Sequence, residues 1–520
     1  MAYLSHMENT ITQSKNTLAD KTLLAAIDLG SNSFRLEIGR LDGGHIERLE
    51  YLKEAVRQGG DLDENRNLTP ESIERGIRCL ARFGERIKDF DPAHVRAVAT
   101  QTLREANNRD VFVKLAKKAL GFEVEVISGV EEARLIYQGV SRFLPQSDDR
   151  RLVIDIGGRS TEFIIGQGFT SHRTVSLHVG SVAWSLKHFS QGEYSEKAFA
   201  RAEIAAESIF ETLGEHFNHK HWDVAYGASG TVGAVADVLA QYGRPPDKIT
   251  RADLQWLRDE LIRTKTQEKL QLLGLKEDRK PVIAGGLSIL MGIFDFLKIE
   301  TMNVATGALR HGLLYDMLTH ANEMVDLRNA SVLRLAQKFS VDSVQAKNVA
   351  DIAVQLFTKV SKDIHFSPNE QQVHLNKLRW AGLLHEIGAV ISPIDAHLHG
   401  AYILAHTESV GFSQKELNCL SLLILGQKGK LKRLETDFSD RIFVMQLICL
   451  RLAVILCHAR KKPNMRALQL DYKHFTIRLS LPKSWSEKYP QSFYLLEEES
   501  QAWQKLITQK INWRFELALA

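Results

Sequence analysis

Ile27-Asp28-Leu29-Gly30-Ser31-Asn32-Ser33-Phe34 stands near the start of the chain, and 127 residues later Ile154-Asp155-Ile156-Gly157-Gly158-Arg159-Ser160-Thr161 repeats its plan. Aligning 27–39 with 154–166 gives six identities in 13 positions: Ile, Asp, Gly, Ser, Ile and Gly. In each copy an apolar run ends in Asp, passes through a Gly/Ser turn and leaves as a second strand. Phe34-Arg35-Leu36-Glu37-Ile38 alternates apolar and charged residues, as a half-buried strand does, and Asp42-Gly43-Gly44 is a hairpin turn signal. Both copies sit at the same structural place, so the sequence reads as a duplicated domain pair.

Outward from the turns, Thr69-Pro70-Glu71 opens a helix over 69–88, with Thr as cap and Pro at the first helical position. Val95–Ala99 and 124–127 read as strands, and 131–140 as a helix whose acidic start suits the helix dipole. Segments 225–229 and 302–305 read as strands feeding helices, an α/β layered pattern. Residues 322–466 are nearly all helical in period, and 475–481 alternates again. The expected organisation is a loose tail at 1–20, α/β domains at 21–139 and 140–321, a helical domain at 322–466 and a small α+β unit at 467–520.

The 520 residues carry 67 Lys+Arg against 63 Asp+Glu, a net +4 that does not make the whole chain basic. Apolar residues make up 44% and charged residues 25%, which excludes extensive disorder. The longest charge-free run, 281–294, has 14 residues, short of the roughly 18 that a membrane span needs. The apolar run 442–457 is broken by Arg451 and reads as a core helix. No secretory signal is expected. Cys79, Cys419, Cys449 and Cys457 form no C-x-x-C and read as buried free thiols in a reducing cytoplasm.

Small residues in the two turns let backbone N–H groups converge on an anion, and Ser and Asn add donors. The turn aspartates Asp28 and Asp155 would repel phosphate directly, but suit a Mg²⁺ that neutralises it. Two such turns facing each other would clamp linked phosphates. The cluster Gly227-Ala228-Ser229-Gly230-Thr231 between strand and helix is a third candidate anion site. Arg310 is a candidate cleft residue. Of the adjacent Glu131 and Glu132, about 100° apart on a helix, one can face a cleft and accept a proton from water. Arg104 offers a planar phosphate-binding fork.

These residues resemble the exopolyphosphatase/guanosine pentaphosphate phosphohydrolase (Ppx/GppA) family. The matching stretches are 26–34 (AIDLGSNSF), 98–104 (VATQTLR), 126–140 (VISGVEEARLIYQGV), 153–162 (VIDIGGRSTE), 227–231 (GASGT) and 306–315 (TGALRHGLLY). The resemblance covers about residues 21–510. It implies two actin-like, ribonuclease H-like domains with a cleft between them, then a helical HD-like domain and a small α+β domain. It implies Glu132 as catalytic base, assisted by Arg104, and metal ligation by Asp155 with Asp28, using Mg²⁺ or alternatively Mn²⁺. Phosphate would be bound by Gly30, Ser31, Asn32, Ser33, Gly157, Gly158, Ser160, Thr161, Gly227, Ser229 and Gly230. Arg159 departs from the family pattern, where a small residue is usual, and either adds a phosphate contact or partly blocks the loop. His311 also departs, and receives no role.

Leu384-His385-Glu386 stands where an HD domain carries His-Asp, and Val454 where it carries a distal Asp, so the expectation is a relic and not a second metal centre. Between 425 and 466, ten Lys/Arg against three acids make a local +7, with Lys428, Lys430, Lys432 and Arg433 as a candidate polyphosphate channel. The expected function is processive release of orthophosphate from the ends of inorganic polyphosphate. The alternatives are 5′-phosphate removal from guanosine pentaphosphate, or a regulatory guanosine tetra- or pentaphosphate binder with little turnover. No stable nucleic-acid partner is expected, and membrane contact only of a peripheral kind. Residence is expected to be cytoplasmic, and the resemblance implies a homodimer.

Overall fold

The structure, a computed structural model, describes residues 18–519 apart from 43–44, 146, 319–320, 408, 410, 435–437, 439 and 508–512. Most of the expected tail and the two glycines of the first hairpin turn lie outside the described residues. The chain divides into two compact units, Met1–Met324 with Glu408–Ser413, and Val325–Thr407 with Gln414–Ala520.

The first unit opens with strands β1 (Leu23–Leu29), β2 (Phe34–Asp42) and β3 (His45–Glu54), and helix α1 (Pro70–Ile87). Strand β4 (Val95–Ala99), helices α2 (Gln101–Glu105) and α3 (Arg109–Leu120), strand β5 (Val124–Val126) and helix α4 (Gly129–Ser141) follow. Among the described residues the five strands run in the order β3-β2-β1-β4-β5. β1 is antiparallel to β2 and parallel to β4. Three antiparallel strands continued by parallel ones is the ribonuclease H-like arrangement expected of an actin-like lobe.

The second lobe repeats it. Its elements are β6 (Arg151–Ile156), β7 (Thr161–Gln167), β8 (Thr170–Leu177), α5 (Ser181–His188), α6 (Glu196–Phe210), β9 (Val224–Ala228), α7 (Ser229–Gln241), β10 (Lys248–Thr250), α8 (Arg251–Thr264), α9 (Ile283–Leu297), β11 (Thr301–Val304) and α10 (Leu309–Leu318). The sheet order is β10-β11-β9-β6-β7-β8. The repeated hairpins are superposable in register: Asp28 pairs with Arg35 across β1 and β2, and Asp155 with Glu162 across β6 and β7.

Helix ends follow local chemistry. Thr69 Oγ1 accepts from the Ser72 N–H, and Ser128 Oγ accepts from the Glu131 N–H, each satisfying an amide that the helix itself leaves unpaired. Each sheet has its own core, around Phe34, Phe83 and Phe112 in the first lobe and Phe163, Phe199 and Phe210 in the second. A third cluster joins them, with Leu24, Ala26 and Val98 from one sheet, Val153 and Ile164 from the other, and Leu135, Ile136, Tyr137 and Leu313 from α4 and α10 between. Helix α10, late in the chain order, lies on α4 and β1. A Cβ on Gly312 would sit 1.9 Å from the Leu135 carbonyl oxygen, so the close crossing of α4 and α10 requires glycine there.

The run Glu277–Leu297 is long and apolar enough to cross a membrane by composition, yet 78% of that window is buried, with α9 serving as a core helix of the second lobe. Residues 411–413 return to this unit from far along the chain: the Gly411 N–H donates to Glu131 Oε2 at 2.8 Å, and Ser413 bridges Ile127.

The second unit contains α11 (Ala321–Lys338) from residue 325 on, and α12 (Ser343–Val360), α13 (Pro368–Leu383), α14 (Ala396–Ala405), α15 (Gln414–Gly426) and α16 (Arg441–Leu456). Then come β12 (Gln469–Lys473), β13 (Thr476–Leu481), α17 (Lys483–Lys488), α18 (Pro490–Ile507) and β14 (Arg514–Leu519). α12 packs on α13 and α16, and α18 packs on β14 and α16. The small α+β segment expected from 467 thus belongs to the same compact unit as the helices.

The +7 segment is smaller as a charged surface than its sequence count. Arg451 is buried on Glu499 at 2.6 Å, Arg460 is paired with Asp342 and Glu386, and Lys462 with Asp351. Lys428, Lys430 and Lys432 are exposed, while the Arg433 side chain lies outside the described residues. His385 is buried with Nδ1 2.8 Å from the Gly382 carbonyl. The four cysteines are free, three of them buried and Cys419 half-buried.

Candidate active site

The ends of β1 and β6 point their Asp-Gly-Ser turns into one cleft of about 270 Å³. Gly30, Ser31, Asn32 and Ser33 line it from the first lobe, and Gly157, Gly158, Ser160, Ser229 and Gly230 from the second. Among the described residues the Asn32 Nδ2 and Ser33 Oγ are buried with no hydrogen-bond partner, a state that costs about 1–3 kcal/mol per group and that a bound anion would relieve. Ser229, at φ 75, starts α7 in the left-handed region. Its hydroxyl and that of Thr231 donate to the Ile156 carbonyl, at 2.7 and 3.0 Å, fastening the third small-residue cluster to the end of β6.

Three expected phosphate or catalytic residues do not line the cleft. Thr161 is buried in β7 with its hydroxyl on the Val179 carbonyl at 2.6 Å. Gly227 lies within β9, where a Cβ would meet Met302 Sδ at 2.5 Å. Arg104 is turned away from the cleft, and its Nη1 donates to Glu132 Oε2 at 2.8 Å and to the Ile127 carbonyl at 3.0 Å. Arg104 therefore holds the candidate base in place. Glu132 itself lines the cleft, while Glu131 points the other way, into a buried ionic cluster with Arg134, Arg96 and Asp316. Helix geometry thus sends the two adjacent carboxylates to different places, one into the cleft and one into the ionic cluster.

Sequence reasoning missed Arg35, Lys53 and Arg279, which line the cleft together with Arg310, a residue it had raised. Arg35 Nη1 is 2.8 Å from Asp28 Oδ2, Lys53 Nζ 3.0 Å from Asp278, and Arg310 is paired with Glu37. Arg279 has no salt-bridge partner among the described residues. Burial, and next the charge of Arg35, hold its guanidinium below the ordinary value. The repeat offset offered one signal: Arg35 in the first copy corresponds to Glu162 in the second. Arg279 sits in Glu277-Asp278-Arg279-Lys280, which reads as a solvated charge run.

That substitution makes the two hairpins electrically unequal. Asp28 has its compensating arginine on the next strand. Asp155 faces Glu162 instead, and both are buried. Burial first, then the charge of Glu132, pushes the Asp155 carboxyl up to about 7. The same two causes raise Glu162 well above its ordinary value. Buried carboxylates that lack a counter-cation fit a hard divalent ion. Among the described residues no three His, Cys, Asp or Glu side chains converge as a metal cage. Of the two turn aspartates, Asp28 is compensated by Arg35, whereas Asp155 has no salt-bridge partner among the described residues.

Fold and cleft together define a two-lobed, actin-like α/β protein with a cation-lined interlobe site. A model of the Ppx/GppA phosphatase family matches residues 38–321, and a model of Ppx/GppA phosphatase domain III matches residues 327–500. The chain belongs to the Ppx/GppA phosphatase family, and is by that membership a phosphohydrolase. Among solved structures, an exopolyphosphatase from Cytophaga hutchinsonii ATCC 33406 is similar at 25% identity and TM-score 0.52, over 57% of this chain and 98% of its own. An exopolyphosphatase-like protein is similar at 23% identity and TM-score 0.53 over the same shares. The Aquifex aeolicus PPX-GPPA enzyme matches at 26% identity and TM-score 0.49, covering 57% of this chain and 99% of that one.

Proposed function

We propose that this chain releases orthophosphate from the ends of inorganic polyphosphate by in-line attack of water. The observation that carries the reading is the half-buried Arg279, without a salt-bridge partner among the described residues and placed beside Arg35, Lys53 and Arg310 in the cleft. A cation drawn half out of water without a counter-charge is unfavourable, and a multiply charged anion supplies that charge. The terminal phosphoryl group lies between the two Gly/Ser turns, where Asn32 and Ser33 donate to its oxygens. Glu132, held by Arg104, orients the water and takes its proton. Asp155, with help from Asp28, would hold Mg²⁺ or Mn²⁺, which supplies neutralisation of phosphate charge. Phosphoryl transfer needs little covalent help, so positioning and charge carry the rate.

A side cavity of about 130 Å³ shares Lys53, Gly230 and Arg279 with the cleft and is walled by Gly233, Ala234, Asp237, Gly274 and Lys276. It favours a second reading, in which a nucleoside lies there and the substrate is guanosine pentaphosphate.

The test is orthophosphate release with Mg²⁺ from long-chain polyphosphate and from guanosine pentaphosphate, for wild type and Glu132→Ala. The expected result is faster turnover of polyphosphate, with a loss of about 10²–10⁴-fold in kcat for the variant. Polyphosphate hydrolysis that survives Glu132→Ala refutes the mechanism, and turnover of guanosine pentaphosphate alone selects the second reading.

A further inference from the structure

The second Gly/Ser turn carries an arginine, Arg159, in place of a small residue. Its side chain neither binds in the cleft nor blocks it, and Arg159 is absent from the cleft lining. It crosses to the first lobe instead. Nε and Nη2 donate to Glu105 Oε2 at 3.1 and 2.5 Å, and Nη1 donates to the Gly59 carbonyl at 2.5 Å. The chain of contacts continues from Glu105. Gln101 Nε2 donates to Glu105 Oε1 at 2.7 Å, and Gln101 Oε1 accepts from Arg104 Nε and Nη2 at 2.9 and 2.6 Å. Arg104 Nη1 then reaches Glu132 Oε2 at 2.8 Å. A second branch runs through Gly59, whose N–H donates to the Ser31 carbonyl at 2.7 Å in the first turn.

We infer that Arg159 is a positioning residue for Glu132, acting from the opposite lobe through Glu105, Gln101 and Arg104. The inference rests on the reading of Glu132 as the base. Its physical content is geometric. Helix α2 has only five residues, too short to hold its own shape by intrahelical bonds, so tertiary contacts must fix Gln101 and Arg104. The amide of Gln101 donates with one end and accepts with the other, and therefore transmits orientation between Glu105 and Arg104. Burial alone would raise the Glu105 carboxyl, but hydrogen bonds from Arg159 and Gln101 overcome that and hold it below its ordinary value, so the link to Arg159 is ionic at neutral pH. Because the contact spans the two lobes, the alignment of the base depends on how the lobes are set relative to each other. A phosphate-binding role fits poorly, since Nε, Nη1 and Nη2 all already donate to protein oxygens.

The experiment compares Arg159→Ala, Arg159→Lys, Glu105→Gln and the double variant Arg159→Ala/Glu105→Gln with wild type and Glu132→Gln, on long-chain polyphosphate with Mg²⁺. Arg159→Ala and Glu105→Gln are each expected to lower kcat about tenfold with KM within twofold, since misplacement of about an ångström costs that much or more. The double variant should be no worse than the worse single, because the residues act as one unit. Lysine at 159, which can reach Glu105 or Gly59 but not both, should recover part of the rate. Amide hydrogen exchange over 101–105 in substrate-free protein should quicken in Arg159→Ala. Glu105→Gln keeps its shape, and carries the test if the alanine variant folds poorly. A KM increase at unchanged kcat, additive losses, or unchanged exchange over 101–105 each overturn the inference. Wild-type turnover by Glu132→Gln sinks instead the reading of the base, while the exchange measurement still reports whether Arg159 orders α2.

Discussion

Arg279 and Gly230 are the residues where geometry and function are most closely tied. A Cβ on Gly230 would lie 2.1 Å from Arg279 Nη2. The obstructing group is the far end of a flexible side chain, so Gly230→Ala should displace the guanidinium without unfolding the lobe. The expected outcome is a KM for polyphosphate at least tenfold higher, a change of about 1.4 kcal/mol, with Tm close to wild type. Arg279→Ala should match it, and the double variant should add little. Unchanged KM in both would remove Arg279 from substrate binding. At this scale the sequence was legible where chemistry is local. Asp28, Ser31, Asn32, Asp155, Gly158 and Ser160 all line one cleft, because a turn between two strands places consecutive residues together. Arg35, Lys53 and Arg279 were not legible, because they reach the cleft from strand faces and a helix entry whose orientation depends on packing of both lobes. Thr161 and Gly227 belong to matching motifs, yet their strand positions point them into the core.

Strand β2 and helix α10 meet through Glu37, which accepts from Arg310 and lies 3.3 Å from His311 Nε2. Burial would raise the Glu37 carboxyl, but the His311 hydrogen bond and charge, with Arg310, overcome this and hold it below the ordinary 4.5. A carboxyl depressed in the folded state contributes stability above its unfolded value, and that contribution is lost as pH falls through the folded one. Glu37→Gln should therefore cost about 3 kcal/mol at pH 7, by leaving Arg310 without its partner. The gap to wild type should close as pH drops below 4.5. Urea unfolding of both proteins at pH 7, 5 and 3.5 checks this, and a pH-independent gap would mean packing and not charge. His311, a departure from the family pattern without an assigned role, acts as a clip on Glu37. The elements themselves were mostly legible: β4 spans Val95–Ala99 as expected, and α1 and α4 begin at the Thr69 and Ser128 caps. What the hydrophobic period could not give was the partner of each face, which is why α10, placed by chain order in the second domain, lies against the first.

Over the whole molecule, duplication explains more than the repeated turns. The two hairpins share register, yet divergence at one site, Arg35 against Glu162, left one turn compensated and the other acidic. Two copies of a strand pair thus came to differ in charge, one turn aspartate salt-bridged to arginine and the other facing a second carboxylate. The sequence count of charge in 425–466 was a poorer guide, because a count ignores partners. Arg451 is consumed by Glu499 inside the second unit, and Arg460 and Lys462 are paired at its surface. Exposed Lys428, Lys430 and Lys432 remain as the testable part of that segment.

The segment around Gly411 and Ser413 that rejoins the two-lobed unit bears on how this protein can be dissected. A gene cut after Met324 would still encode both lobes, but it would leave Glu131 short of the Gly411 amide and uncover the backbone edge at Ile127, just before the helix that carries the base. Such a truncated chain should melt at a lower temperature, having lost a charge-assisted hydrogen bond worth about 1.5–3 kcal/mol, and should turn over more slowly. A synthetic peptide spanning 405–416, added in trans, should restore part of both. Full melting temperature and full rate without it would make the returning segment ornamental, and the catalytic half a module that can be lifted out whole.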